Sequence, residues 1–294
     1  MSDKKTISIV VASDNFYVIL VAALLKSIEL NHKTDEHIDF YIIDDGISNK
    51  NRKRIEEVAD SKLITIKWVM SKDVIPTDVQ VPIDNSGFPL TVYLRLFCPL
   101  IVDKGVDKII YMDVDIIVKD DISNLWNINL GDYTIAAVQD VAKTVDCEWA
   151  GIPNYKALGI PAGSKYFNAG VSVINVNKWR DGNIGNKVIE ALHLHKKHVI
   201  LGDQYGLNVV FANKWLELDP KWNWFAFAEN ANPSLIHFLD IKPIFKTYNS
   251  QEAFKEEFFK YLSYTPWKSF KPISGNKRHL KKIYTKIKKM FMKF

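Results

Sequence analysis

The sequence lacks the features that would assign it to several common protein classes. Two cysteines occur in 294 residues, Cys98 and Cys147, without a C-x-x-C pair. That pattern predicts neither a disulfide framework nor a zinc site and is typical of a reduced cytosol. No G-x-G-x-x-G follows the first predicted strand and no G-x-x-x-x-G-K-[ST] occurs, which disfavours dinucleotide oxidoreductases and P-loop enzymes. The longest early apolar run, 16 to 25, is too short to span a bilayer, so we expect neither a signal peptide nor a transmembrane helix.

Positive charge is also scarce outside the end of the chain. The net charge is +5, but eight Lys or Arg and no acidic residue lie between Lys277 and Lys293. The preceding body therefore has 31 basic and 34 acidic residues, a net charge of −3. Because nucleic-acid binding requires a broad basic surface, we expect no nucleic-acid partner.

The first quarter of the chain alternates between strand and helix patterns. Apolar and β-branched runs predict strands over 7–13, 37–43 and 63–69, and helical spacing predicts helices over 18–30 and 49–59. This βαβαβ order is typical of the nucleotide-binding half of a doubly wound α/β protein.

The middle of the chain predicts a helix over 91–102, broken near Pro99, and strands over 133–139 and 170–175. Between these strands, residues 142–166 include three glycines and two prolines, a composition typical of a long loop. A long loop beside a metal site is often a cover or a substrate-binding wall.

The stretch from Lys108 to Val118 predicts a buried strand that contains Asp113 and Asp115. In an extended backbone, residues i and i+2 project from the same face, so the two carboxylates would point to one place. A D-x-D pattern arises by chance about once in a chain of this length at an Asp frequency of roughly 5%. However, two buried like charges are costly without a cation, and carboxylates suit Mg²⁺ or Mn²⁺. The sequence therefore predicts a metal site here.

Several groups of residues form a combination that points to one enzyme family. They are Ala12-Ser13-Asp14 with Tyr17, Tyr41 to Ser48, Tyr111 to Asp115 followed by Asn124-Leu125-Trp126, Tyr166 to Val171, Asp203-Gln204 with Asn208, and His237-Phe238. With these landmarks the chain resembles the family 8 glycosyltransferases, a retaining and metal-dependent group that includes bacterial lipopolysaccharide galactosyl- and glucosyltransferases and glycogenin. The resemblance runs from the first strand to about Lys268.

The resemblance implies a GT-A fold, which is an α/β, Rossmann-like fold with a mixed sheet. We expect residues 1–270 to form the catalytic domain and residues 271–294 to form a C-terminal helical extension. The implied donor is a UDP-sugar and the implied cofactor is Mn²⁺, with Mg²⁺ as an alternative. The implied reaction transfers glucose or galactose to a glycan or glycolipid acceptor, in the synthesis of lipopolysaccharide or another cell-surface polysaccharide.

The resemblance also implies donor-binding and metal-binding residues. Asp14 would hydrogen-bond the uracil and Tyr17 would stack on it. Asp113 and Asp115 would bind the metal, with His237 as the third protein ligand. The other implied donor-binding residues are Ala12, Val114 and Lys242.

Five further residues are implied at the catalytic centre. Arg95, Asn168, Asp203 and Gln204 match positions that hold the donor sugar or line its reactive face, and Asp140 matches a position near the acceptor. No carboxylate is an evident covalent nucleophile and Gln204 is a poor one. We therefore expect a front-face reaction in which the leaving phosphate assists.

The chain departs from the family pattern in two segments. Phe16 stands where the family often has Asn. The family's H-x-x-G-x-x-K-P-W motif is here His237 to Ile244, one residue shorter, with Asp240 in place of the Gly. That Gly lets the backbone approach the diphosphate, and an aspartate there would face negative charge.

Two other functions are alternatives. Phosphatases of the haloacid dehalogenase type also have D-x-D after a strand, but they require Thr or Val where Ile117 stands and a late G-D-x-x-x-D, which neither Gly131-Asp132 nor Gly202-Asp203 provides. A non-catalytic sugar-nucleotide-binding relative would keep the fold without turnover. Release of UDP with Mn²⁺ distinguishes an active enzyme from both.

The C-terminal residues 276–294 predict a basic amphipathic helix. Its apolar residues fall at spacings of three and four, with lysines on the other faces. They are Leu280, Ile283, Tyr284, Ile287, Met290, Phe291 and Phe294. Such a helix favours the interface of an anionic membrane, so we expect a cytoplasmic protein at the inner face of the cell membrane. The alternative is that the apolar stripe packs on the body or on a second subunit.

Overall fold

The computed structural model describes residues 6–82, 89–229 and 232–291. Its strands are β1 Thr6–Asp14, β2 His37–Asp45, β3 Ile64–Met70, β4 Lys108–Met112, β5 Ile116–Val118, β6 Ile135–Thr144, β7 Lys165–Asn175, β8 Leu216–Glu217, β9 Trp224–Phe225 and β10 Leu235–His237. Its α-helices are α1 Val18–Asn31, α2 Asn49–Glu56, α3 Cys98–Ile101, α4 Ile122–Trp126, α5 Val176–Asp181, α6 Ile184–Leu194, α7 Asp203–Val210, α8 Glu252–Ser263 and α9 Gly275–Phe291.

A seven-stranded mixed sheet in the order β3-β2-β1-β4-β7-β6-β8 organises the fold. The strands β3, β2, β1 and β4 are parallel, whereas β7 is antiparallel to both β4 and β6. Side chains alternate between the two faces, so Ile9 and Val11 join the apolar cluster that contains α1, and Val10 joins the cluster on the other face. Both faces are therefore covered, and the α/β prediction with a mixed sheet is confirmed.

The predicted βαβαβ order is present at the start of the chain. The helix α1 is buried over almost its whole length, from Val18 to Ile28, because it lies between the sheet and α8. The helix α2 begins at a Ser48 cap, whose hydroxyl oxygen accepts from the Asn51 backbone N–H at 3.3 Å.

The prediction of one continuous strand from Lys108 to Val118 is wrong. The strand β4 ends at Met112, and β5 belongs to a separate three-stranded sheet in the order β5-β10-β9. Between them the Asp113 backbone N–H donates to the Gly170 carbonyl at 2.8 Å, and the Asp115 carbonyl accepts from Phe238 at 2.9 Å. The D-x-D segment thus connects the two sheets. Asp113 and Asp115 belong to neither strand, so their carboxylates are not buried among the apolar side chains of a continuous strand.

Two other predictions differ in detail. The segment expected as a helix over 91–102 is a 3-10 helix, Leu90–Phe97, followed by α3, in which Pro99 lies in the first turn where no backbone N–H donor is needed. The strands β6 and β7 extend into the region expected as loop, so the connection between them covers residues 145–164.

The C-terminal helix is present as α9, and residues 292–294 lie outside the described part of the chain. Two backbone hydrogen bonds hold the segment before α9 against the body. The Ile273 N–H donates to the Ile244 carbonyl and the Lys246 N–H donates to the Ile273 carbonyl, each at 2.9 Å. Among the residues that the structure describes, no helix combines the length and the apolar character needed to cross a membrane.

Candidate active site

The site lies at the carboxyl edge of the parallel strands. Asp14 is the last residue of β1, and Asp113 directly follows β4, the parallel neighbour of β1. Parallel neighbouring strands end at the same edge of a sheet, which is where open α/β sheets bind their ligands. The topology therefore places the implied nucleoside residue and the D-x-D segment side by side.

Three residues offer a possible metal-binding group. One ligand atom each from Asp113, Asp115 and His237 can be chosen so that all lie within 4.8 Å of one another. The antiparallel pairing of β10 with β5 aligns His237 with Ile116, and the His237 Nε2 atom lies 3.5 Å from Asp115 Oδ1. The span is close to the roughly 4 Å that separates opposite ligands of one Mg²⁺-sized ion. The described side chains therefore bring the three predicted ligands together.

A chain of hydrogen bonds fixes the tautomer of His237. The Gly170 backbone N–H donates to Asn168 Oδ1 at 2.9 Å, so that atom is an oxygen and an acceptor. Asn223 Nδ2 donates to the same oxygen at 2.9 Å, which leaves Asn223 Oδ1 to accept from His237 Nδ1 at 2.8 Å. The proton is thus on Nδ1, and Nε2 keeps its lone pair on the side of Asp115. Together with two carboxylates, this donor set fits a divalent cation.

The same network continues to three residues implied at the catalytic centre. Asp140 Oδ2 accepts from Asn168 Nδ2 at 2.7 Å and from Gln204 Nε2 at 3.3 Å, and its Oδ1 accepts from the Ala142 backbone N–H at 2.9 Å. Gln204 Oε1 in turn accepts from the Ala169 backbone at 3.0 Å. Both amide side chains are therefore held in one orientation beside the three candidate metal ligands.

Arg95 lies between two carboxylates. Its Nη2 atom is 3.1 Å from Asp113 Oδ1, its Nε atom is 2.8 Å from Asp203 Oδ2, and its Nη1 donates to the Ala169 carbonyl at 2.7 Å. Burial raises the pKa of Asp203 to about 7, even though the Arg95 charge acts in the opposite direction. Asp113 also accepts from the Tyr111 hydroxyl at 3.2 Å.

Lys242 pairs with Asp115 on the other side of the metal group. Its ammonium forms an ion pair with Asp115 Oδ2 and donates to the Phe238 carbonyl at 2.8 Å. Burial alone would raise the pKa of Asp115, but the Lys242 charge beside it holds that pKa below its ordinary value. Asp240 has a positive φ of 56°, a conformation that Asp tolerates better than most residues, and its carboxylate pairs with Arg278 of α9. The negative charge that replaces the family's Gly thus has a positive partner.

The predicted nucleoside residues lie where β1 ends and α1 begins. Asp14 Oδ1 accepts from the Phe16 and Tyr17 backbone N–H groups at 2.9 and 3.0 Å, and Asp14 Oδ2 forms an ion pair with Lys281. Burial, with Asp14 and Asp115 nearby, raises the pKa of Tyr17 to about 12. The two remaining predicted contacts, Ala12 and Val114, are partly buried against opposite apolar clusters.

Sequence reasoning missed two features of the site. Asn223, which orients His237, lies in an aromatic-rich segment that gave no signal for it. Gly170 was recognised only as part of a motif, but a Cβ there would lie 2.4 Å from His237 Cε1, 2.9 Å from Asn168 Oδ1 and 3.0 Å from Asp113 Oδ2. Glycine is thus the residue that leaves space for the ligands.

Comparison with a family model decides the class of the protein. The model described as glycosyl transferase family 8 matches residues 8–245. The chain belongs to glycosyl transferase family 8. It is therefore a glycosyltransferase of this family, and the phosphatase alternative is wrong.

Named relatives of this family 8 protein occur in several bacteria. General stress protein A of Bacillus subtilis (strain 168) is 28% identical over 291 residues, which is 91% of this chain and 96% of that protein. Glycosyltransferase GlyF of Streptococcus pneumoniae serotype 4 is 32% identical over 218 residues, 74% of this chain and 48% of GlyF. The chain thus spans about the whole of the first relative and about half of the second.

Solved structures confirm the GT-A fold. The galactosyltransferase LgtC, in complex with donor and acceptor sugar analogues, superimposes with a TM-score of 0.74 at 24% identity, over 90% of this chain and 99% of LgtC. The bifunctional glycosyltransferase WbbM gives a TM-score of 0.74 at 22% identity, over 92% of this chain and 51% of WbbM.

Proposed function

We propose that this family 8 protein transfers a hexose, glucose or galactose, from a UDP-sugar to a glycan or glycolipid acceptor, with retention of configuration and with a divalent metal. The observation that supports it most is the group of Asp113, Asp115 and His237, in which His237 Nε2 has its lone pair free for a cation. Residues 1–270 are the proposed catalytic domain and residues 271–294 the proposed membrane-associating tail.

Two carboxylates suit Mg²⁺ and Mn²⁺ alike. Mn²⁺ is the preferred ion because the resemblance to the family implies it, and Mg²⁺ is the alternative. A bound ion would neutralise the diphosphate as it leaves. The chain's own cations support the same step. The Lys242 ammonium lies against Asp115 and the Arg95 guanidinium against Asp113, so each of the two proposed carboxylate ligands has a positive charge beside it. These cations are available to orient the anionic donor.

The hydrogen bonds of the network favour a front-face reaction. Asp140 accepts three hydrogen bonds, from Asn168, Gln204 and Ala142, which reduces its strength as a nucleophile. Gln204 is a neutral amide held by Ala169 and Asp140. The proposed role of Asp203, Asn168 and Gln204 is therefore to position the donor sugar, and that of Asp140 to lie near the acceptor. Product NMR tests this, since a β-linked product from an α-linked donor would contradict retention.

The outward face of α9 supports association with a membrane. Leu280, Ile283, Tyr284 and Ile287 are 63, 42, 59 and 46% exposed, so these four side chains are not packed on the body. Each cation near an anionic surface contributes about 1 kcal/mol. The tail has eight Lys or Arg, of which Arg278 and Lys281 pair with Asp240 and Asp14 in the docked helix. We propose a cytoplasmic enzyme that binds the inner face of the cell membrane, where a lipid-linked acceptor for lipopolysaccharide or another surface polysaccharide would be within reach.

Two measurements test the proposal. Calorimetry with UDP-glucose, UDP-galactose and other nucleotide sugars, each with Mn²⁺ or Mg²⁺, is expected to show metal-dependent binding of a UDP-hexose. Tighter binding of a different nucleotide sugar would contradict the donor assignment. Release of UDP during incubation with glycan and glycolipid acceptors then separates an enzyme from a non-catalytic relative, which would bind the donor without releasing UDP.

A further inference from the structure

The C-terminal helix α9 reaches the nucleoside end of the donor site. Lys281 forms an ion pair with Asp14, and Arg278 forms one with Asp240. The Lys281 and Asp14 side chains are only 17% and 15% exposed, so this pair is largely covered. The Lys281 ammonium also lies 5.6 Å from the centre of the Phe16 ring. Phe16 and Asp240 are two of the positions at which the chain departs from the family pattern, and both contact the tail.

Asp14 has one oxygen for the protein and one for a ligand. Its Oδ1 atom is occupied by the Phe16 and Tyr17 backbone N–H groups, which fix the carboxylate in place. Its Oδ2 atom is the remaining acceptor, and Lys281 occupies it. A base that bonds to Asp14 therefore needs the oxygen that the tail holds.

We propose that Lys281 of α9 competes with the donor's base for Asp14 Oδ2, so that the docked tail closes the nucleoside end of the site and must move for UDP to bind. This inference rests on the proposed function, because it requires a nucleoside at Asp14. The Lys281 ammonium and an N–H group of a base are both hydrogen-bond donors, so either can satisfy the carboxylate and Asp14 is not left unpaired when the tail moves. The cations at the site come from different parts of the chain. Lys242 and Arg95, which pair with Asp115 and Asp113, belong to the body of the protein, whereas Lys281 belongs to a terminal helix.

The test compares UDP binding in the presence of Mn²⁺ by three full-length proteins: the parent, Lys281→Ala, and Lys282→Ala as the matched control. Lys282 is exposed, and within the described ranges it forms no ion pair. Each substitution removes one positive charge, which by itself weakens binding of an anion. We expect Lys281→Ala to tighten UDP binding roughly two- to fivefold, and Lys282→Ala to leave it unchanged or slightly weaker.

Binding of inorganic pyrophosphate shows whether Lys281 acts on the base or on the diphosphate of UDP. Because pyrophosphate has no base, its Mn²⁺-dependent binding is expected to be unchanged or slightly weaker in Lys281→Ala, as for the loss of any one positive charge. If Lys281→Ala binds UDP with unchanged or lower affinity while the parent binds UDP, the competition is wrong and the proposed function stands. If the tightening applies equally to pyrophosphate, Lys281 acts on the diphosphate and the competition for Asp14 is again wrong. If none of the proteins binds UDP with Mn²⁺, the donor assignment and this inference are both overturned.

Discussion

The Nδ1 atom of His237 donates to Asn223 Oδ1 at 2.8 Å, and this contact sets the tautomer of the third proposed metal ligand. The two residues are brought together because β10, which ends at His237, pairs with β9, which begins directly after Asn223. Without Asn223, the imidazole would be free to take the other tautomer, in which Nε2 is protonated and cannot bind a cation.

We therefore expect Asn223→Ala to weaken Mn²⁺ binding by roughly 10- to 100-fold, the range seen when the partner of a metal-binding His is removed. Asn223→Asp is the matched control, because a carboxylate still accepts from Nδ1. It is expected to retain more of the affinity, although it cannot donate to Asn168. Calorimetric titration of the two variants with Mn²⁺ measures the difference. Equal affinity of Asn223→Ala and the parent protein would show that Asn223 does not orient the ligand.

Asp113→Asn and Asp115→Asn are each expected to abolish metal-dependent turnover. Each replaces an anionic ligand by a neutral amide of nearly the same volume, so the charge is lost while the packing is kept. UDP release with Mn²⁺ measures turnover, and circular dichroism verifies the fold. Asp120→Asn is a suitable control, since Asp120 lies at the other end of β5 and bonds to Ser234. Turnover of either D-x-D variant near the parent level would contradict the metal assignment.

Gly170→Ala tests the space around the ligands. The added Cβ would lie 2.4 Å from His237 Cε1, so the imidazole or the backbone must shift. We expect a loss of Mn²⁺ affinity together with a destabilisation of about 1–3 kcal/mol. The control is Gly105→Ala, because a Cβ there meets nothing within 4 Å. A Gly170→Ala protein with parental metal affinity would mean that the site accommodates the methyl group.

The raised pKa of Asp203 predicts a specific pH dependence of the stability of the folded protein. This pKa is raised by burial to about 7 in the folded protein, compared with 3.8 as the ordinary value. Between these values the folded state binds the proton more strongly than the unfolded state, so the contribution of Asp203 to stability falls as the pH rises from 4 to 7. Asp203→Asn does not titrate. We expect the Tm of the parent minus that of Asp203→Asn, measured without metal, to decrease across this range. A constant difference would show that the folded-state pKa is not raised.

Removal of residues 276–294 tests the tail. The full-length protein is expected to sediment with anionic vesicles and the truncated protein to remain in the supernatant, because the truncation removes the basic charge and the exposed apolar side chains of α9 together. High salt is expected to weaken the binding. Equal sedimentation of the two proteins would overturn the membrane proposal.

The sequence predicted the parts of the site that follow from strand order and family motifs. The βαβαβ alternation and the D-x-D segment indicated the correct edge of the sheet, and Asp113, Asp115 and His237 do come together. The continuous strand from Lys108 to Val118 was wrong because β-branched residues on both sides of the D-x-D concealed the passage between two sheets. The apolar pattern of a sequence indicates which residues are buried but not which sheet they join. Ile116 to Val118 would be buried both in a continuous strand and in the second sheet, where they lie.

Other features depended on contacts between distant parts of the chain. Asn223 precedes His237 by 14 positions, and Lys281 follows Asp14 by 267. Neither pairing leaves a local pattern, because a hydrogen bond between distant residues places no constraint on the residues next to either partner. The amphipathic pattern did predict the helix α9, but the direction of its Lys281 side chain depends on how the helix docks.

The position of α9 affects how much donor sugar is lost to hydrolysis. A nucleotide sugar bound where no acceptor is present can be lost to water, since a retaining centre that activates a sugar will also accept a hydroxyl from solvent. If the segment that covers Asp14 is also the one with affinity for the bilayer, an enzyme molecule away from the lipid would hold its donor more weakly than one at the membrane. Arrival at the surface that contains the acceptor would then favour binding of the donor.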